Sequence, residues 1–245
     1  MLDFIIDNKL YIIPIFEFLA MCIALKYYFK FRKSLKTEMK VFVFYLCFIF
    51  VVDTIGLYPI WAFFDKYETL PFLKDSPFHR NFWLYNIVRV INYLVFGYVF
   101  SSQIHSLKKY HLKKILHAAL ILFGIYSLIC YSTFGNFLYA EEFSVIFIGT
   151  IIVFFCLIAY FFEVLLSDKI LSLTSDALFY SGTGVLLWQL CVVPLKIYTS
   201  YFNTSNPEFI KMYGTALMYA NIFLYSMFII GFYVEMSSRL KAKTA

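Results

Sequence analysis

Seven long apolar stretches, separated by short polar loops, fill nearly all of this chain. About 20 apolar residues carry a helix across the hydrocarbon core of a bilayer, so seven such stretches leave no room for a soluble domain. The expectation is a single all-α unit over residues 1–245, a polytopic membrane protein built as a seven-transmembrane-helix bundle. The spans are read at Leu10–Phe29, Val41–Phe64, Phe82–Ile104, Lys114–Tyr131, Phe143–Leu166, Ala177–Tyr198 and Gly214–Met236. A membrane strand would alternate apolar and polar residues over about 10 positions. These runs stay apolar for twice that length, and a helix satisfies its own backbone polar groups, as lipid requires.

Charge then sets the expected orientation. Only 15% of the 245 residues are charged, against about 25% in soluble domains. The net charge of +6 lies in loops, so it reads as a topology signal and not as a nucleic-acid surface. The first, third and fifth loops and the tail carry 14 Lys and Arg, from Lys26 to Lys243; the opposite side carries five, Lys9, Lys66, Lys74, Arg80 and Lys211. The basic side is expected to be cytoplasmic, which puts the amino terminus outside and the carboxyl terminus inside. The start lacks the basic leading segment of a secretory signal peptide. Five cysteines, none in a C-x-x-C pair, fall in or near the spans and read as small apolar residues. Asn203-Thr204-Ser205 matches a glycosylation acceptor in an outer loop.

The two ends of the chain suggest a duplication. Tyr27-Tyr28-Phe29, Ser34-Leu35 and Pro59 are followed by Asn86-Ile87 and Gly97. Tyr160-Phe161-Phe162, Ser172-Leu173 and Pro194 are followed by Asn221-Ile222 and Gly231. Spans one to three would recur as five to seven with span four as connector, a 3+1+3 parallel repeat.

Ionisable and amide side chains inside a bilayer are costly, and so are functional candidates by default. Glu17, Arg89 and Asn221 lie at similar depth in the outer halves of their spans, Gln189 slightly deeper, and Asp53 near the middle of span two. Asn86, Arg89 and Asn92 recur at three-residue spacing and Tyr93 follows Arg89 by four, which places them on one helix face. Two readings fit. Arg89 pairs with Asp53 or Glu17 as a structural ion pair, or Glu17, Asp53, Arg89, Asn92, Gln189 and Asn221 line a polar cavity, open to the outside, for a small molecule or ion. Pro59 and Pro194 favour the cavity, because proline frees a carbonyl and kinks a helix. Lys196 and Tyr198 sit where the rim would be, although Lys196 can equally snorkel to the interface. Glu163 and Glu235 read as interfacial, and Ser181-Gly182-Thr183-Gly184 as a site of close helix contact.

Other chemistry is set aside. His105, His111 and His117 are spaced by six and share no helix face, so no zinc site is expected. No G-x-S-x-G, H-E-x-x-H or Walker pattern occurs. Neither an enzyme nor a bound cofactor is expected.

In topology the chain resembles opsins, receptors and the sugar transporters with paired three-helix repeats. It departs from their motifs. Span seven, Gly214–Met236, has no Schiff-base lysine. Ile104-His105-Ser106 and Asn221-Ile222-Phe223 stand where rhodopsin-like receptors carry Asp-Arg-Tyr and Asn-Pro-x-x-Tyr. Pro14-Ile15, Pro59-Ile60 and Pro194-Leu195 replace the Pro-Gln dipeptide. The composition resembles that of uncharacterised bacterial seven-span membrane proteins, which implies the bacterial inner membrane, with lipid as the first partner. Three functions follow as expectations: a ligand-binding sensor or receptor-like protein acting through a separate signalling partner, a small-solute or ion transporter, or a structural subunit. A cavity closed on the inner side favours sensing; an inward path past Asp53 favours transport.

Overall fold

A computed structural model describes residues 2–7, 9–105, 111–133, 136–201 and 207–244. The described residues form helices and turns, with no strand among them. A short α1 (Leu2–Asp7) precedes α2 (Ile12–Phe31), α3 (Thr37–Ile55), α4 (Tyr58–Phe64), α5 (Phe82–Ser101), α6 (Leu112–Thr133), α7 (Phe143–Leu165), α8 (Ala177–Tyr201) and α9 (Pro207–Thr244). Taking α3 and α4 as one span, seven segments are long and apolar enough to cross a membrane. Their outward faces carry large apolar side chains that water would not tolerate in such number. On α6 alone Ile121, Leu122, Ile125, Leu128 and Ile129 are exposed, a lipid-facing stripe. The protein is an integral, multi-pass membrane protein.

The span boundaries agree within a few residues, with two instructive differences. The seventh span extends well beyond Gly214–Met236: the 38-residue α9 runs past both of those bounds, because intrahelical bonding does not stop where hydrophobicity does. The second span is interrupted at Gly56-Leu57, with Pro59 in the first turn of α4, where its missing N–H costs least. Pro194, by contrast, lies inside an unbroken α8.

Six helices close a ring in the order α2, α3, α5, α7, α8, α9 and back to α2, and α6 packs outside it against α5 and α7. The face bearing the 136–142 segment is called upper here, and the face bearing the 32–36 loop lower. The ring is tight where side chains are small. A Cβ on Gly149 of α7 would fall 2.3 Å from the Tyr93 ring of α5, and one on Gly184 of α8 would meet Met227 of α9 at 2.9 Å. The 181–184 segment is thus a site of close helix contact, as its composition suggests.

The lower half of the ring is filled by aromatic side chains. Phe42 packs against Phe96, Phe228 and Phe232, and Tyr27 against Phe232; Phe42, Phe228, Phe232 and Tyr27 are fully buried. Below them Tyr27 donates to Glu235 at 2.6 Å, Arg239 donates to Glu235 at 2.9 Å, and Glu235 accepts the Ala177 N–H at the start of α8 at 3.1 Å. Glu235 is therefore a tie between α2, α8 and α9. Glu163 is buried, which corrects its reading as an interfacial residue: its position on α7 faces the bundle. The five cysteines are unpaired. The Asn203-Thr204-Ser205 acceptor, Lys108, Lys109 and the Tyr198 side chain lie outside the described residues.

Candidate functional site: a polar cavity in the upper half

The upper half of the ring is not filled. It encloses a cavity of about 470 Å³ that Glu17, Asp53, Arg89, Asn92, Gln189 and Asn221 all line, from five different helices. That size suits a small ligand, for which pockets run about 300–1,000 Å³. The six residues meet because each is the polar interruption on the inward face of an otherwise apolar helix.

The wall facing α5 and α8 is cationic, and it is assembled by a residue with no charge. Asn86 is fully buried. Its Nδ2 donates to the carbonyls of Phe137 and Ala140, both at 2.9 Å, and its Oδ1 accepts from Arg89 Nη1 at 3.0 Å. Tyr131 adds a hydrogen bond from its hydroxyl to the Asn86 carbonyl at 3.2 Å. The 136–140 turn is thereby folded back over α5, and it delivers Glu141 to Arg89, with which it forms an ion pair. Lys196 of α8 bonds both carboxylate oxygens of Glu141 at 3.0 Å. Burial alone would raise the Glu141 carboxyl, but Arg89 and Lys196 outweigh it and hold the group below its ordinary range.

This arrangement corrects the expected pairing of Arg89. Its partner is Glu141, not Asp53 or Glu17. Glu141 side-chain exposure is 38%, against 11% for Arg89. A carboxylate at the lip of the cavity keeps part of its hydration, so the pair costs less to form than one deep in the span. Lys196 likewise joins this pair instead of reaching away to the interface.

The opposite wall, formed by α2 and α3, is acidic. Glu17 and Asp53 adjoin each other, with the Tyr225 hydroxyl beside Glu17 and the Tyr85 hydroxyl beside Asp53. Tyr85 reaches this place because Gly56 has no side chain: a Cβ there would fall 2.6 Å from its hydroxyl oxygen. Between the two walls stand Trp188, whose Nε1 donates to Asn221 Oδ1 at 2.8 Å, and Tyr93, bonded to Thr150 at 3.0 Å. Two carbonyl oxygens are buried without a donor: Gln189 Oε1 and Asn92 Oδ1. Gln189 is only 3% exposed. Buried acceptors are almost always satisfied, so these two mark places where a ligand or water donor belongs. Among the described residues no group of three His, Cys, Asp or Glu side chains could hold a metal ion.

Sequence reasoning located these six lining residues, set Tyr93 on the same helix face as Arg89 and named Lys196 as a rim candidate, but passed over Glu141, Trp188 and the tyrosines 45, 85, 213 and 225, all of which face the cavity. The one available signal for Glu141 was a charge count. Two cations, Arg89 and Lys196, sit in the upper halves of their spans, and the Glu141-Glu142 loop lies at the same level. For those four tyrosines there was none, since 21 are scattered along the chain. No family model, curated protein or solved structure matches this chain.

Proposed function

We propose that this protein is a membrane sensor that binds a small polar ligand in the upper cavity from outside the cell and passes the event to a separate signalling partner. The observation that carries the reading is the Gln189 carbonyl, buried and unpartnered at a 470 Å³ cavity lined by opposite charges. Buried acceptors rarely go without a donor, so this carbonyl supports a ligand or water beside it. The basic loops make the lower face cytoplasmic, so Glu141 and Lys196 form the external lip.

Beneath the cavity Phe42, Phe96, Phe228 and Phe232 pack ring against ring, an apolar layer that favours binding over passage. Transmission has a candidate element. The single helix α9 carries cavity residues Tyr213, Asn221 and Tyr225 and, further along, Glu235 and Arg239 of the lower tie. A ligand that binds better when α9 is displaced shifts that equilibrium by its differential affinity, and the lower end of α9 changes its hold on Tyr27 and the start of α8. The ring order supports the 3+1+3 repeat as well: α2, α3/α4 and α5 occupy successive places, α7, α8 and α9 the next three, and α6 stands outside.

Thiol labelling tests the reading. In a cysteine-free background, cysteines at positions 89, 189 and 221 should react with a membrane-impermeant thiol reagent added from outside, and Asn221→Ala should reduce the biological response while folded yield stays near wild type. Complete protection of all three positions in folded protein would overturn the cavity reading and leave a structural role.

A further inference from the structure

A second, wholly different cavity abuts the first. It is an apolar groove of about 560 Å³ on the outer surface of the ring, between α2 and α4, lined by Pro14, Ile15, Phe18, Leu57, Ile60 and Trp61 among others. Three residues, Leu10, Pro14 and Leu57, line both this groove and the polar cavity. They are the wall between lipid and the site.

That wall stands directly in front of the acidic pair. Pro14 precedes Glu17 by three residues, and Leu57 follows Asp53 by four, so each carboxyl lies one helical turn behind a wall residue. It is also the place where the ring is interrupted. Leu57 occupies the break between α3 and α4, where its carbonyl accepts from the Ile60 and Trp61 N–H groups and opens α4. Asn81, which donates to the Gly56 carbonyl at 2.8 Å, holds the other side of the break.

We infer that the ligand is a single-chain amphiphile with an amine head, taken sideways from the bilayer: the apolar chain lies in the α2–α4 groove and the ammonium head rests on Glu17 and Asp53. This rests on the ligand-binding reading and names its ligand class. The chemistry of each end supports it. The groove offers a chain only apolar contact. Two adjoining carboxyls favour a cation beside them, and the Tyr45, Tyr85 and Tyr225 rings around the pair can supply cation–π attraction. Gln189 Oε1 lacks a donor and can accept a further N–H. Across the cavity Arg89 and Lys196 repel a cationic head and keep it on the acidic wall. An anionic head would meet Glu17 and Asp53 first.

Purified protein in nanodiscs of a zwitterionic phospholipid gives the test, read by ligand-induced change in tryptophan fluorescence and in melting temperature. The probes are dodecylammonium, butylammonium and dodecanoate. Corrected for the partitioning of each amine into protein-free nanodiscs, dodecylammonium should bind at least about tenfold more tightly than butylammonium, since the groove adds close packing contacts to the chain, and dodecanoate should not compete. Ile60→Trp, which fills the groove, should remove the advantage of the long chain and spare butylammonium; Asp53→Asn should weaken both amines. Equal binding of the two amines to the unmodified protein would overturn lateral capture and leave a cavity for small solutes. Preference for dodecanoate, or no binding of any probe by folded protein, would overturn the amphiphile assignment, while labelling at positions 189 and 221 still decides whether the cavity is open.

Discussion

Replacing Glu141 by Gln tests the assembly of the cationic wall. The substitution keeps the shape of the side chain and removes the one carboxylate on which Arg89 and Lys196 converge. Stripping one partner from a fully buried ion pair costs about 3–5 kcal/mol, whereas a solvent-exposed pair is worth about 0–1 kcal/mol. Glu141 lies between these limits, with side-chain exposure of 38%, and its partners at 11% and 19%. A loss of about 2 kcal/mol is therefore expected, up to a thirtyfold change in the folded-to-unfolded ratio. Thermal unfolding in detergent should fall by several degrees for Glu141→Gln and for Arg89→Leu. The double variant should fall by clearly less than the sum, because residues in one charged network do not act additively. Asp53→Asn and Glu17→Gln should not rescue Arg89→Leu. Additive losses, or rescue by Asp53→Asn, would show that Arg89 answers to the acidic wall and would refute this assignment.

The same carboxylate predicts a pH dependence. Its native value lies below the ordinary glutamate value of 4.5, so its contribution is complete above that value and is lost as pH falls through the lower, native one; the stability difference between wild type and Glu141→Gln, measured from pH 7 to pH 3, should shrink on the acid side. Gly149→Ala places a methyl group against the Tyr93 ring, 2.3 Å from its nearest atom, and overpacking of this kind costs about 1–3 kcal/mol; a melting temperature equal to wild type would show that Tyr93 has room to move. Reporter fusions after Lys36 and Lys243 should read cytoplasmic and a fusion after Ser76 external; a cytoplasmic signal at Ser76 would reverse the assignment of the cavity lip to the outside.

The amino-acid sequence by itself determined the number and position of the membrane-crossing segments, because burial in lipid depends on local composition summed over about 20 residues. It also singled out Glu17, Asp53, Arg89, Asn92, Gln189 and Asn221, since a polar side chain in an apolar run is visible without any partner. Partnership was what it could not supply. Whether Arg89 meets Asp53 or Glu141 depends on how the 136–140 turn folds back over Asn86, a contact spanning about fifty positions that leaves no periodic trace. The break at Gly56-Leu57 was foreshadowed by Pro59, yet its consequence was not: only the closed ring brings Leu57 between a lipid-facing groove and the acidic pair. The aromatic layer around Phe42 was equally hidden, because in a chain with 31 Phe composition does not distinguish a side chain that faces lipid from one that closes the bundle. Hydrophobicity acts on each residue alone and is written along the chain. Pairing and packing act between residues far apart in sequence, and only the tertiary arrangement decides them.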